Sequence, residues 1–165
     1  MTRHLRNCAI LLSAGLSMPI TSAVADDVKS QILGQWELYD WTVTDETGTL
    51  SHPYGESAKG SLVYTDDGHM AVQLFNPDAP DYDSVSIETR YFAYYGTYTI
   101  DEDARTITHS ITGSLLPSWI GTNQVRSYEF TNDNHLKLGA IVDSDNAAAA
   151  AGAGGTNVLE WARPD

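Results

Sequence analysis

Apolar and polar side chains alternate along this chain in short runs, and turn-forming residues punctuate the runs at fairly even intervals. Alternation with a period of two puts successive side chains on opposite faces of a strand, so each run reads as a strand with one face toward a core. Eight runs qualify: Gln35 to Val43, Ser61 to Thr65, His69 to Phe75, Tyr94 to Ile100, Arg105 to Thr112, Gln124 to Phe130, Leu136 to Val142 and Val158 to Arg163. In the first, the apolar phase slips at Tyr39-Asp40-Trp41, which predicts a β-bulge. Asp66-Asp67-Gly68 is a strong hairpin signal, and Thr44 to Gly48, Asp101 to Ala104 and Thr131 to Asn134 are further polar turns.

The links between runs are less regular. His52 to Lys59 is an irregular segment around Pro53 and Gly55, and Asn76 to Ser84, with Pro77 and Pro80, is loop. Val85 to Ala93 reads as a short helix, and Gly113 to Gly121 as a link holding Pro117 and Trp119. Asp143 to Asn157 is an Ala/Gly tract with too few large side chains to pack, and is expected to be a mobile loop. Short strands joined by polar turns predict an all-β domain, a sandwich or a barrel, and periodicity does not choose between them.

Parity sorts the side chains of each run. In Arg105 to Thr112, His109 shares a face with Ile107 and Ile111. In Gln124 to Phe130, Gln124, Arg126, Tyr128 and Phe130 share a face, with Ser127 and Glu129 opposite. Tyr94, Tyr98 and Ile100 align, as do Leu62 with Tyr64 and Leu159 with Trp161; Met70, Val72 and Leu74 form another set that leaves Gln73 outside. The interior is therefore mixed, whereas an interior built only for stability would be aliphatic. Arg126 stays charged at any relevant pH, so burying it demands a partner. That partner is either an internal carboxylate, Glu56 or Glu88, or an acidic or carbonyl-bearing ligand. A lone His on an apolar face, like His109, is either a satisfied core residue or a proton-transfer group.

Charge and composition narrow the partners. Arg3 and Arg6, the apolar stretch Cys8 to Met18 and the Ala-x-Ala of Ala23-Val24-Ala25 read as a signal peptide over residues 1–25, which makes the mature domain 26–165 periplasmic or secreted. The apolar stretch is too short for a membrane span. The first 25 residues hold two of the nine Lys+Arg and none of the 22 Asp+Glu, so the remainder carries seven against 22, a net −15. Such a surface repels phosphate backbones and anionic lipid, so no nucleic-acid partner is expected, and no membrane after signal removal. The only cysteine, Cys8, leaves with the signal, which excludes a disulfide scaffold. His52, His69, His109 and His135 lack metal-ligand spacing, and Asp78 to Asp83 lacks the glycine and terminal Glu of an EF-hand, so no metal is expected. No cofactor is expected either, since no phosphate loop, dinucleotide fingerprint or Gly-x-Ser-x-Gly occurs.

Gly34-Gln35-Trp36 resembles the Gly-x-Trp opening of lipocalin-type barrels, and the wider pattern resembles the bacterial and fungal lipocalin-like domain family. That pattern is Tyr54-Gly55, Lys59 to Tyr64, Asp67 to Met70, Tyr94 to Tyr98, His109, Ser114 to Gly121, Gln124 to Arg126 and Leu159 to Arg163. The resemblance implies an all-β, eight-stranded antiparallel up-and-down barrel with a short helical or irregular rim segment, able to hold one small ligand. It also implies that Arg163 covers Trp36 and closes the base. Trp119 is left to cap either end, against a ligand or against packing. The expected ligand is a small, mostly hydrophobic or amphipathic molecule with a polar or acidic group, touched by Tyr64, Tyr94, Tyr98, His109, Trp119, Gln124, Arg126, Tyr128 and Trp161. The alternative is a cofactor-independent isomerase, cyclase or lyase in which His109 moves a proton and Arg126 steadies the developing charge.

Overall fold

A computed structural model of the protein describes residues 27–80, 90–132, 134–140 and 156–164. The expected signal segment and most of the Ala/Gly tract lie outside the described residues. The chain enters through a helical turn, α1 (Val28–Ile32), capped by the Asp27 carboxylate, which accepts from the Lys29 amide at 3.3 Å. At five residues it is too short to show helical periodicity, and the sequence pattern gave no sign of it. Strands follow as β1 (Gly34–Thr44), β2 (Leu50–Ser51), β3 (Lys59–Tyr64), β4 (His69–Phe75), β5 (Tyr91–Asp101), β6 (Thr106–Ser114), β7 (Asn123–Asn132), β8 (His135–Ala140) and β9 (Thr156–Ala162), with a 3₁₀ turn, Pro117–Trp119, between β6 and β7.

Each strand from β3 to β9 pairs antiparallel with the next, β1 pairs with β3, and β9 returns to β1, so eight strands close a barrel. Closure gives each of the eight barrel strands two neighbours. The two-residue β2 only extends the rim, pairing with Val43 and Thr44. The eight long strands coincide with the eight apolar runs. Two link assignments need correction. Tyr91 to Ala93 is not helical but the start of β5, because Phe75, Leu74 and Gln73 pair with Tyr91, Phe92 and Ala93 and so extend the hairpin ladder; residues 85–89 lie outside the described set. Thr156 and Asn157 belong to β9 rather than to the Ala/Gly tract, since they pair with Thr44 and Val43.

The bulge falls where the phase slip places it, between Leu38 and Asp40. The additional residue lets Trp36 and Leu38 face inward at one end and Trp41 at the other, while Tyr39 is 66% exposed. At the base, Trp36 is fully buried and its Nε1 donates to the Ile32 carbonyl at 2.8 Å. The Arg163 guanidinium lies 3.7 Å from the centre of the Trp36 ring, and Nη1 donates to the Leu33 carbonyl at 2.7 Å. These contacts plug one end of the barrel with α1 and the Trp36–Arg163 stack. The other end carries the irregular segment around Tyr54 and the 3₁₀ turn.

Candidate functional site

That second end holds a cavity of about 240 Å³. Trp41, Tyr54, Phe92, Tyr94 and Trp119 supply aromatic wall, Val72, Leu74, Leu138 and Leu159 aliphatic wall, and Arg126 and Trp161 are also lining residues. Each aromatic has a local reason for its place. The β1 bulge turns Trp41 inward, where it meets Tyr54 edge-on with ring centres 4.8 Å apart. Period two on β5 aligns Phe92 with Tyr94, and the 3₁₀ turn brings Trp119 to 5.1 Å from Phe92 and 5.6 Å from Tyr94. Arg126 and Trp161 are only 7% and 1% exposed, on the inward faces of β7 and β9.

Arg126 is the residue that packing does not explain. Its Nη1 donates to the Val125 carbonyl at 3.1 Å, and its guanidinium stands close enough to Tyr94 to influence that hydroxyl. Among the described residues it forms no ion pair. Of the two internal carboxylates expected as partners, Glu56 is exposed and unpaired with Arg126, which removes it; Glu88 lies outside the described residues. A buried cation without a carboxylate is costly to keep. The indole Nε1 atoms of Trp119 and Trp161 are likewise buried with no acceptor among the described residues, whereas Trp41 Nε1 donates to Asn157 Oδ1 at 2.8 Å. The cavity is thus apolar in most of its walls, with the Arg126 guanidinium the one charged side chain among its lining residues.

A polar chain runs behind it. Tyr64 Oη lies 2.7 Å from His109 Nε2, and Tyr94 Oη lies 3.1 Å from His109 Nδ1. Burial, and secondarily the nearby Arg126 charge, lowers the His109 pKa from 6.5 to about 3, so the imidazole is neutral near neutral pH. Burial also raises Tyr64 well above the ordinary phenol value and raises Tyr94, the latter against the opposing pull of Arg126. Both remain protonated. No group of three His, Cys, Asp or Glu side chains suited to a metal occurs among the described residues.

Residues 33–163 match the family described as lipocalin-like domain, nearly the whole of the barrel. The chain belongs to the lipocalin-like domain family. No curated protein matches it. Among solved structures, a redesigned beta barrel overlays with a TM-score of 0.43 and 16% identity, over 83% of this chain and 95% of that one. A de novo designed fluorescence-activating beta barrel gives 0.44 and 10% identity over 85% and 100%, and a mutant of the fluorescent protein UnaG gives 0.38 and 9% over 82% and 98%.

In this lipocalin-like barrel, the sequence-derived ligand set divides into two layers. Tyr94, Trp119, Arg126 and Trp161 line the cavity. Tyr64, His109 and Gln124 are buried but are not lining residues, and His109 meets the cavity only through Tyr94. Tyr98 lies toward the base, its hydroxyl donating to the Thr65 carbonyl at 3.0 Å, and Tyr128 lies there too, packed against Phe130. Parity gives the face of a side chain but not its height along the barrel axis, so it merged these layers. Trp41, Tyr54 and Phe92 are cavity residues absent from the sequence-derived set. The bulge signal at Trp41 was sufficient to find the first; Phe92 was hidden by the helical reading of its segment, and Tyr54 sits where no period exists.

Proposed function

We propose that this chain is an exported small-molecule-binding protein whose cavity takes a compact, mostly apolar molecule bearing an acidic or strongly accepting group. The observation that carries the reading is Arg126, a buried guanidinium without a described carboxylate partner, set in a lining that apart from Asn157 is aromatic and aliphatic. Aromatic and aliphatic walls supply affinity at about 25 cal/mol per Å² of apolar surface removed from water, and the few donors fix orientation. The volume of about 240 Å³ is below the usual range of small-molecule pockets, about 300–1,000 Å³, which favours a one- or two-ring molecule over a lipid chain. Export follows from the N-terminal pattern, and the acidic surface of the mature chain disfavours nucleic acid as a partner.

Three of the four tryptophans, Trp41, Trp119 and Trp161, line the cavity, so a bound molecule is expected to change their fluorescence. Titration of the mature protein with a panel of aromatic and alicyclic acids tests the reading. Saturable quenching that disappears in Arg126→Met supports it, and uniform silence across the panel defeats it.

One observation favours a second reading as a cofactor-independent isomerase, cyclase or lyase: the Tyr64–His109–Tyr94 chain ends on a lining residue beside Arg126. Here the proton would move at the Tyr94 hydroxyl, with His109 acting through it. Recovery of a bound molecule chemically altered after incubation separates this reading from simple carriage.

A further inference from the structure

We propose that the Tyr64–His109–Tyr94 chain has a fixed proton direction that makes Tyr94 a hydrogen-bond donor toward the cavity, so that Tyr94 and Arg126 form a donor-only clamp for a carboxylate. This deepens the binding reading above and rests on it.

The direction follows from counting donors and acceptors. A neutral imidazole has one N–H and one bare nitrogen, and here each nitrogen faces one phenol. Tyr64 is 1% exposed, and His109 Nε2 is its one hydrogen-bond partner among the described residues. If Nε2 carried the proton, it would donate to Tyr64 and leave the Tyr64 hydroxyl hydrogen buried with no acceptor, which is costly. If Tyr64 donates to a bare Nε2, nothing buried at that end is wasted. The imidazole proton then sits on Nδ1 and is donated to Tyr94 Oη. Tyr94 already faces the Arg126 guanidinium, which has only donors to offer. With its oxygen accepting from His109, the Tyr94 hydrogen is left for an acceptor elsewhere, and Tyr94 is the member of the chain that lines the cavity. The depressed His109 pKa agrees with this order, since an imidazolium would need acceptors on both sides.

Two donors of this kind select among ligands. A carboxylate offers acceptor lone pairs to both and neutralises the guanidinium; an ammonium meets a cation and a hydroxyl hydrogen. Tyr64 and His109 are positioning residues in this scheme, because neither lines the cavity.

The test has two readouts on the intact mature protein. Long-range ¹H–¹⁵N correlation on labelled protein reports the tautomer of His109 directly. The expected result is a protonated Nδ1 and a bare Nε2, unchanged from about pH 5 to 8, the span in which an ordinary histidine titrates. An Nε2–H tautomer or an imidazolium overturns the proposal. The second readout is binding of 2-naphthoate and 2-naphthylmethylamine, followed by tryptophan fluorescence. Wild type is expected to prefer the naphthoate, and Tyr94→Phe to weaken it by about tenfold or more, the scale of one hydrogen bond to a charged acceptor. Tyr64→Phe is expected to scramble the His109 tautomer and weaken naphthoate as well, which gives a second route if Tyr94→Phe fails to fold. Should both Tyr→Phe variants bind naphthoate as tightly as wild type while Arg126→Met does not, the clamp is wrong and the binding reading survives. Should wild type bind neither these probes nor any member of the acid panel, the binding reading falls and takes the clamp with it.

Discussion

Two buried polar side chains, His109 and Arg126, each make a stability prediction that needs no ligand. His109 takes a proton near pH 6.5 in the unfolded chain but only near pH 3 in the fold, where burial and Arg126 oppose the charge. Between those values the unfolded state binds more protons, so acid favours unfolding. The contribution is complete above pH 6.5 and is lost as the pH falls toward 3. Lowering the pH from about 7 to 4 is expected to cost the wild type about 3 kcal/mol more than His109→Gln, because exposed carboxylates titrate alike in both. Parallel urea titrations of the two proteins at a series of pH values would show it, and identical slopes would remove the assigned cause. Arg126 predicts the opposite kind of result. A buried guanidinium with no carboxylate among the described residues is a burden on the unliganded protein, so Arg126→Met is expected to leave stability unchanged or raise it by about 1–3 kcal/mol. Loss of stability in that variant would mean that Arg126 is a structural ion-pair member, with Glu88 the first partner to examine.

Among the elements, the β6 strand joins a local irregularity on one edge to the Trp119 turn on the other. Its ladder with β5 slips between Tyr95 and Gly96, so that Gly96 faces Ile111 and Thr112 has no partner in the ladder. On its other edge, toward β7, Ile111 receives the Gly121 amide and donates to the Thr122 carbonyl, each at 2.9 Å, and this docks the turn that carries Trp119. Gly96 allows the approach: a Cβ there would stand 1.9 Å from the Ser110 carbonyl oxygen, with backbone rather than a yielding side chain in the way. Gly96→Ala is therefore expected to cost about 3 kcal/mol or more and to loosen Trp119, visible as a lower denaturation midpoint and a red-shifted tryptophan emission. The strands of this barrel were legible because half-burial imposes a period of two, and the β1 bulge was legible because it breaks that period at Tyr39. The β6 bulge was not: Thr112 and Gly113 continue the alternation without a visible slip, and only the partner strand defines the irregularity. For the same reason, the inward direction of Arg126 and His109 could be read from parity, while their different heights, one on the cavity and one beneath it, could not.

At the scale of the whole molecule, β9 unites the base, the closure and the cavity. Its backbone completes the ring by pairing with β1, from Glu37↔Ala162 to Thr44↔Thr156, so the pair that shuts the barrel joins the two ends of the domain. Its side chains reach both poles: Trp161 and Leu159 line the cavity, Asn157 holds Trp41 at the rim, and Arg163, just after the strand, stacks on Trp36 at the base. Such a topology makes folding depend on contacts of large sequence separation, which are slow to form because a long loop must close before they give any return. It also means that an incomplete chain has no stable stopping point. A chain ending at residue 155 would leave β1 and β8 as facing open edges and would expose Trp36 and Leu138, a combination prone to association. The expected behaviour is loss of cooperative unfolding and of naphthoate binding together. A synthetic peptide covering 156–165 is expected to restore both, because two edges of defined register are waiting for it. Peptides carrying Trp161→Ala or Arg163→Ala would then separate the poles: the first is expected to complete the ring but bind naphthoate poorly, and the second to complete it with normal binding and a weaker base. If the Arg163→Ala peptide impaired binding as much as the Trp161→Ala peptide, the independence of the two ends would be refuted, and the base would have to be regarded as part of the site.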